Sequence, residues 1–184
     1  VYHTAYDTPL VDRLKSTIRE VPDYPTTGVV FKDITHVLAD ARLTADMVES
    51  IRVHFQSHCI DAVAAIEARG FIFGAMVAHA LQCAFVPIRK AGTLPRQTIS
   101  QAYALEYGKA TIEMHTDAIN TGWRVLIHDD VLATGGTAMA AAQLVETLGG
   151  TVAGFSFLIN LGFLPGESIL NKHFNTTLHA LAQY

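Results

Sequence analysis

The chain predicts an α/β fold with a mainly parallel, doubly covered sheet, and three observations carry that prediction. From residue 62 onward, short apolar runs of strand length alternate with segments of helical period. Runs such as Ala62-Val63-Ala64-Ala65-Ile66 are apolar at every position, as a strand covered on both faces requires. Polar clusters follow directly behind three of the strand-type runs, at the strand ends where open parallel sheets bind ligands.

Along the chain, residues 9–20 have the period of a short amphipathic helix, with Leu10, Leu14 and Ile18 on one face. Val21-Pro22-Asp23-Tyr24-Pro25-Thr26-Thr27-Gly28 stops it, because proline disfavours helix at its own position and at the one before. Val29-Val30-Phe31 reads as a short extended piece leading into Lys32-Asp33-Ile34-Thr35. Residues 43–58 are helical by the four-residue spacing of Met47, Ile51 and Phe55. A strand over 62–66, a helix over 71–81 and a strand over 84–88 open the alternation. Residues 91–108 form a long polar segment with no evident core face. Residues 110–115 alternate like an exposed strand, and 125–127 are strand-type again. A helix over 138–148 ends at Gly149-Gly150, a strand over 151–161 follows, and 176–181 add an edge. No linker, internal repeat or low-complexity stretch divides the 184 residues, which read as a single domain.

Composition removes several function classes. Half of the residues are hydrophobic and 16% are charged, which excludes a disordered chain. A net charge of −4 argues against a broad nucleic-acid surface, so any polyanion must be met by a few placed cations. No run approaches the roughly 18 apolar residues of a membrane span, and no secretory pattern opens the sequence. Cys59 and Cys83 form no C-x-x-C pair and stand among apolar residues, which is expected of buried thiols in a reduced, cytoplasmic protein. The nine histidines lack the spacing of a zinc site.

Three clusters carry chemistry. In Val125-Leu126-Ile127-His128-Asp129-Asp130-Val131-Leu132-Ala133-Thr134-Gly135-Gly136-Thr137, a strand meets two carboxylates, a small-residue turn and a helix. The amides of residues 134–137, backed by the positive end of the helix, suit a phosphate, and the two acids suit ribose hydroxyls or a metal ion. Neither G-x-x-x-x-G-K-[ST] nor G-x-G-x-x-G occurs there. The competing role for Asp129 and Asp130 is a turn and helix cap. Glu67-Ala68-Arg69-Gly70 places an arginine at a helix entrance, fit for a second phosphate or for a loop salt bridge with Glu67. Arg89-Lys90 follows the 84–88 run and is either a further phosphate contact or solvated surface. Jointly the clusters describe a site for a ribose carrying two phosphate groups, with Mg²⁺.

These residues resemble the type I phosphoribosyltransferases and, within them, the branch that acts on adenine. The similarity lies in Asp129-Asp130-Val131-Leu132-Ala133-Thr134-Gly135-Gly136-Thr137 and continues in Pro22-Asp23-Tyr24-Pro25, Gly28-Val29-Val30-Phe31-Lys32-Asp33-Ile34, Glu67-Ala68-Arg69-Gly70-Phe71, Val86-Pro87-Ile88-Arg89-Lys90 and Leu105-Glu106-Tyr107-Gly108. It implies a small N-terminal hood, about residues 1–36, that binds the base, and a long flexible catalytic loop over 91–108. It implies purine salvage: transfer of the 5-phosphoribosyl group from phosphoribosyl pyrophosphate to adenine, giving AMP and pyrophosphate. It also implies a cytoplasmic homodimer, with no nucleic-acid or membrane partner.

The resemblance further assigns roles. Asp129 and Asp130 take the ribose hydroxyls, and Ala133, Thr134, Gly135, Gly136 and Thr137 the 5′-phosphate. Arg69 and Lys90, with Arg89 nearby, take the pyrophosphate. Val30, Phe31 and Lys32 hold the base, with Phe31 stacked on one face and Leu161 closing the other. Phe31 read alone is a core aromatic. Glu106 moves a proton at the purine imidazole ring, Tyr107 covers the site with the loop, and Mg²⁺ rides mainly on phosphoribosyl pyrophosphate rather than on protein side chains. Relatives specific for hypoxanthine and guanine carry an aspartate where this chain has Ala133, which points to adenine. Thr93 stands where many relatives have lysine, leaving Arg96 as a possible substitute. His128 stands where an aliphatic residue is common and reads as a strand side chain. Asn160 stands where some relatives have glutamate.

Overall fold

The computed structural model describes residues 9–104 and 109–184, and their packing divides between Ser50 and Ile51 into two compact units. The first holds α1 (Leu10–Thr17), a hairpin of β1 (Arg19–Pro22) and β2 (Val30–Asp33), α2 (Thr35–Ala39) and most of α3 (Ala41–Phe55). α1 is shorter than its apolar period suggests, since Ile18 is already extended. The reason is a partner distant in sequence: residues 19–22 pair antiparallel with β2, Val21 opposite Phe31 and Pro22 opposite Val30. The turn between them is closed by the Gly28 amide donating to Asp23 Oδ1 at 2.7 Å. α2 was not evident from periodicity. Asp33 starts it by accepting from the amide and hydroxyl of Thr35, and those bonds, the hydroxyl's first, pull the Asp33 carboxyl below its usual pKa.

The second unit is built on a sheet of seven strands among the described residues, in the order β5-β6-β4-β3-β7-β8-β9. Its strands are β3 (Ala62–Ile66), β4 (Ala84–Lys90), β5 (Thr98–Ala104), β6 (Lys109–His115), β7 (Arg124–Leu132), β8 (Thr151–Asn160) and β9 (Thr177–Gln183). β3, β4, β7, β8 and β9 run parallel, and β5 and β6 add an antiparallel edge. The crossovers are α4 (Arg69–Leu81), α5 (Gly136–Thr147) and α6 (Gly166–His173). Alternation along the strands sends α4 and α5 to opposite faces. Ala62, Ala64, Ile66, Val125 and Ile127 join the core cluster that contains Ala138, Ala141 and Leu144 of α5. Ala65 and His128, one residue out of phase, lie against Gly74 of α4. The expected doubly covered sheet is therefore present, and chain order reverses between β4 and β7 on either side of β3.

Several expectations change in detail. Much of the segment read as a polar loop is strand β5, whose Ile99, Gln101 and Tyr103 turn partly inward while Ser100 and Ala102 face solvent. Ile99 and Tyr103 pack on the core cluster. β6 is not an exposed strand, for Ile112, Glu113 and Met114 are all buried. Cys59 is exposed and Cys83 half-buried, so the pair are free thiols but not buried ones. α6 was hidden by Leu164-Pro165-Gly166, which reads as a break. A proline at a helix start costs nothing, however, because the first amides have no helical partner there. No helix among the described residues is long and apolar enough to cross a membrane.

Candidate active site

Among the described residues, the carboxyl ends of β3, β4 and β7 bring Glu67, Arg69, Lys90, Asp129, Asp130 and Thr137 into one cleft. β7 runs through the acid pair instead of stopping at Ile127, so Asp129 and Asp130 are strand residues that alternate between faces. They cap nothing: the residue before α5 is Gly135, and no side chain hydrogen-bonds to that helix start. Asp130 is 4% exposed and is paired with the Arg69 guanidinium through Nε. Asp129 accepts the Asp130 amide at 2.9 Å. Burial, and then the neighbouring negative charge of Asp130, push the Asp129 carboxyl well above its ordinary pKa. Gly70 allows α4 to begin directly over this strand, since a Cβ there would lie 2.9 Å from Asp129 Oδ1 and 3.2 Å from the His128 carbonyl oxygen.

Beyond the pair, Gly135 takes φ +82, a left-handed turn that suits glycine, and starts α5. A small cavity of about 60 Å³ sits there, lined by Asp129, Ala133, Thr134, Gly135 and Thr137 among others. An uncapped helix start facing a concavity is an anion site by geometry and dipole together. A second cavity of about 330 Å³ adjoins it, sharing Asp129 and Thr137, and adds Arg69, Lys90, Glu67, Tyr103 and Asp130. The cationic strand ends therefore converge on the carboxylates.

Glu67 and Arg69 do not pair with each other. Glu67 Oε2 accepts from Arg89 Nε at 2.9 Å and from the Lys90 amide at 3.0 Å, tying the end of β3 to the end of β4. Arg89 thus braces the loop, while the Lys90 side chain lines the cleft. The Glu67–Ala68 peptide is cis. Arg96 does not approach this cleft. It pairs with Asp117 at 2.9 Å on exposed surface and lines a separate concavity with Gln97 and Thr116. Thr93 is exposed, with its hydroxyl donating to the Lys90 carbonyl at 2.7 Å.

Glu113 is a buried carboxylate near the cleft that the sequence motifs do not single out. It sits on β6 at 4% exposure and accepts from the amides of Thr93 and Leu94 at 2.9 and 2.8 Å and from the Thr98 hydroxyl at 3.2 Å. Those bonds, the Leu94 amide's first, hold its carboxyl below the usual pKa. A glutamate between two apolar strand residues was the available signal. His128 is fully buried on the α4 side, away from the cleft, with Nδ1 3.2 Å from Ser156 Oγ.

In the first unit, Phe31 is half-buried and meets the edge of Tyr24 at 5.2 Å between centroids. It is not among the buried core side chains. Val30 is exposed, and Lys32 pairs with Glu20 across the hairpin. Leu161, in the second unit, donates its amide to the Leu132 carbonyl at the end of β7, 2.9 Å away. Glu106, Tyr107 and Gly108 lie outside the described residues.

Comparison with known proteins agrees with this geometry. Residues 32–163 match the profile of the phosphoribosyl transferase domain. The adenine phosphoribosyltransferase of Myxococcus xanthus is 51% identical over 172 residues, which cover 94% of each chain. The crystal structure of adenine phosphoribosyltransferase from Rhodothermus marinus superposes with a TM-score of 0.89 at 51% identity, covering 95% of this chain and 98% of that one. The Saccharomyces cerevisiae enzyme, solved with an imino-altritol bisphosphate and adenine, gives 0.87 at 34% identity, covering 94% and 98%. The acid pair, the uncapped α5 start and this similarity along nearly the whole length place the chain in the phosphoribosyl transferase family, among the adenine phosphoribosyltransferases.

Proposed function

We propose that this chain transfers the 5-phosphoribosyl group of phosphoribosyl pyrophosphate to adenine, releasing pyrophosphate and forming AMP, a purine-salvage reaction. The carrying observation is the convergence of Asp129, Asp130, Arg69, Lys90 and Thr137 on one cleft beside the uncapped start of α5. The Saccharomyces and Giardia lamblia relatives were solved with adenine and with 9-deazaadenine, which supports the same base here.

In this reading the bond between ribose C1 and the pyrophosphate oxygen breaks while purine N9 bonds to C1. Positive charge grows on the sugar and negative charge on the leaving group. Asp129 and Asp130 grip the ribose hydroxyls, and the amides of 134–137 hold the 5′-phosphate, so C1 is fixed relative to the base. Arg69 and Lys90 face the pyrophosphate and counter its charge as it departs. Arg89 keeps the 67–69 turn in place through Glu67. By the resemblance, Phe31 stacks on the base, Val30 and Lys32 help to hold it, and Leu161 is assigned to the base as well. Glu106 accepts the purine imidazole proton, and Tyr107 closes over the site. Both assignments rest on Leu105-Glu106-Tyr107-Gly108, and for Glu106→Gln we expect a turnover loss of about 10²–10⁴-fold.

Mg²⁺ carried by phosphoribosyl pyrophosphate supplies charge neutralisation at the leaving group. The residues fit it: burial and Asp130 make the negative charge of Asp129 unfavourable, and a cation carried in with the substrate would relieve that. In this reading the acids act through the ribose hydroxyls, and the ion is held mainly by phosphoribosyl pyrophosphate. A cytoplasmic homodimer completes the reading, with Met76 and Phe85 as apolar side chains open to a partner copy.

A spectrophotometric assay with Mg²⁺, phosphoribosyl pyrophosphate and each purine in turn tests it. Nucleotide should form from adenine and not from hypoxanthine, guanine or xanthine; turnover of an oxopurine at a comparable rate would overturn the adenine assignment.

A further inference from the structure

The turn between β8 and α6 is bonded to the residues that lead into the phosphate turn. The Leu161 amide donates to the Leu132 carbonyl at 2.9 Å, and the Gly166 amide to the Ala133 carbonyl at 3.1 Å. Between these two bonds the turn closes on itself, Leu164 donating to Leu161 at 2.9 Å. Its far end is tethered as well. Asn160, 4% exposed at the end of β8, donates from Nδ2 to Glu167 Oε2 at 2.6 Å.

At Gly135 and Gly166 the two backbones meet without side chains between them. A Cβ on Gly135 would stand 2.9 Å from Gly166 Cα and 3.1 Å from its carbonyl oxygen. A Cβ on Gly166 would collide with the Ala133 carbonyl oxygen and lie 3.0 Å from the Gly135 amide nitrogen. The left-handed φ of Gly135 would favour glycine there in any case. Gly166 has no such reason: it is the first residue of α6 and is not among the positive-φ glycines. Its closeness to residues 132–135, the Ala133 carbonyl oxygen nearest, is what excludes a side chain.

We propose that Gly166 is a positioning residue for the 5′-phosphate site, setting from α6 the placement of the amides that grip the phosphate. This rests on the reading of residues 133–137 as that site. A methyl at position 166 must push the turn toward the cavity or pull α6 away, and either displaces donors whose value depends on placement within a fraction of an ångström. The cost falls on phosphate binding, present in ground and transition states alike, so KM rises while kcat stays nearly unchanged.

The test compares wild type with Gly166→Ala, Thr137→Ala and Gly154→Ala. Gly154→Ala creates a similar clash, 2.7 Å from Phe55 Cε1, at the other end of β8. AMP binding is measured by calorimetry, KM and kcat by initial rates, and folding by thermal midpoint. Gly166→Ala should weaken AMP and raise KM for phosphoribosyl pyrophosphate by about tenfold or more, with kcat within about threefold. Gly154→Ala should lower the midpoint and leave AMP affinity unchanged. Weakened AMP binding in Thr137→Ala with wild-type affinity in Gly166→Ala would overturn the proposal and leave the phosphate-site reading standing. Wild-type affinity in both would remove that reading and the proposal with it. Equal weakening in Gly154→Ala would show a general loss of rigidity and also overturn it. If Gly166→Ala does not fold, Asn160→Ala takes its place, cutting the tether without adding an atom. Weaker AMP binding would then support the proposal, and unchanged binding would overturn it.

Discussion

Asp129 is a carboxylate placed where it costs stability. Its folded pKa is raised by burial and by Asp130, so it holds a proton to higher pH than an unfolded aspartate with pKa near 3.8. Between those two values the folded state binds more protons, and stability falls as pH rises. Asp129→Asn should remove that slope and raise the thermal midpoint at pH 8, while losing a charge-assisted grip on ribose worth about 10- to 100-fold in kcat/KM. Thermal scans at pH 5 and pH 8 beside initial rates check both halves. Phe31 is a different case. It is half-buried against the edge of Tyr24 rather than part of the core, which suits a ring kept for stacking. Phe31→Ala should raise KM for adenine by roughly 5- to 150-fold, the equivalent of about 1–3 kcal/mol of base stacking, and leave KM for phosphoribosyl pyrophosphate near wild type.

At the level of elements, β6 secures the start of the segment behind the cleft. Glu113 holds the Thr93 and Leu94 amides and the Thr98 hydroxyl as an ionised carboxylate, and its pKa is lowered accordingly. That contribution is present above pH 4.5 and is lost as pH falls through the lowered folded pKa. Glu113→Gln should speed hydrogen exchange at the Thr93 and Leu94 amides without altering exchange in β3; unchanged protection would show the segment to be held elsewhere. The sheet elements most legible in sequence were β3, β4 and β8, because a strand buried on both faces is apolar throughout and needs no partner to be recognised. β1 and β5 were not legible, since Arg19–Pro22 and Thr98–Ala104 become strands by pairing with β2 and β6. Of the cleft, Arg69, Lys90, Asp129, Asp130 and Thr137 were legible as clusters at strand ends. Outside the cleft lining, Glu113 and the close approach of Gly166 to Gly135 were not, because each involves backbone brought near only by the fold. Arg96, left open by the sequence as a substitute for the cation missing at Thr93, is paired with Asp117 away from the cleft.

For the whole molecule, buried histidines set acid sensitivity. Burial lowers the His128 pKa from 6.5 to about 4, so the unfolded chain takes up a proton in that window that the folded chain refuses. Its contribution to stability is full above pH 6.5 and falls as pH drops, by about 3 kcal/mol at pH 4. His179, also lowered to about 4 by burial and then by His54, adds less because it is partly exposed. Denaturant midpoints should therefore drop between pH 7 and pH 4.5, and His128→Leu should flatten the fall. The slope from Asp129 runs the other way, so Asp129→Asn should steepen it. This acid sensitivity belongs to the α4 side of the sheet, while the proposed chemistry belongs to the carboxyl ends of β3 and β7. That division makes one measurement decisive: a crystal structure with AMP. Phosphate oxygens are expected within hydrogen-bonding distance of the 134–137 amides, and the ribose hydroxyls on Asp129 and Asp130. A phosphate bound away from the start of α5, or a ribose out of reach of both carboxylates, would contradict it.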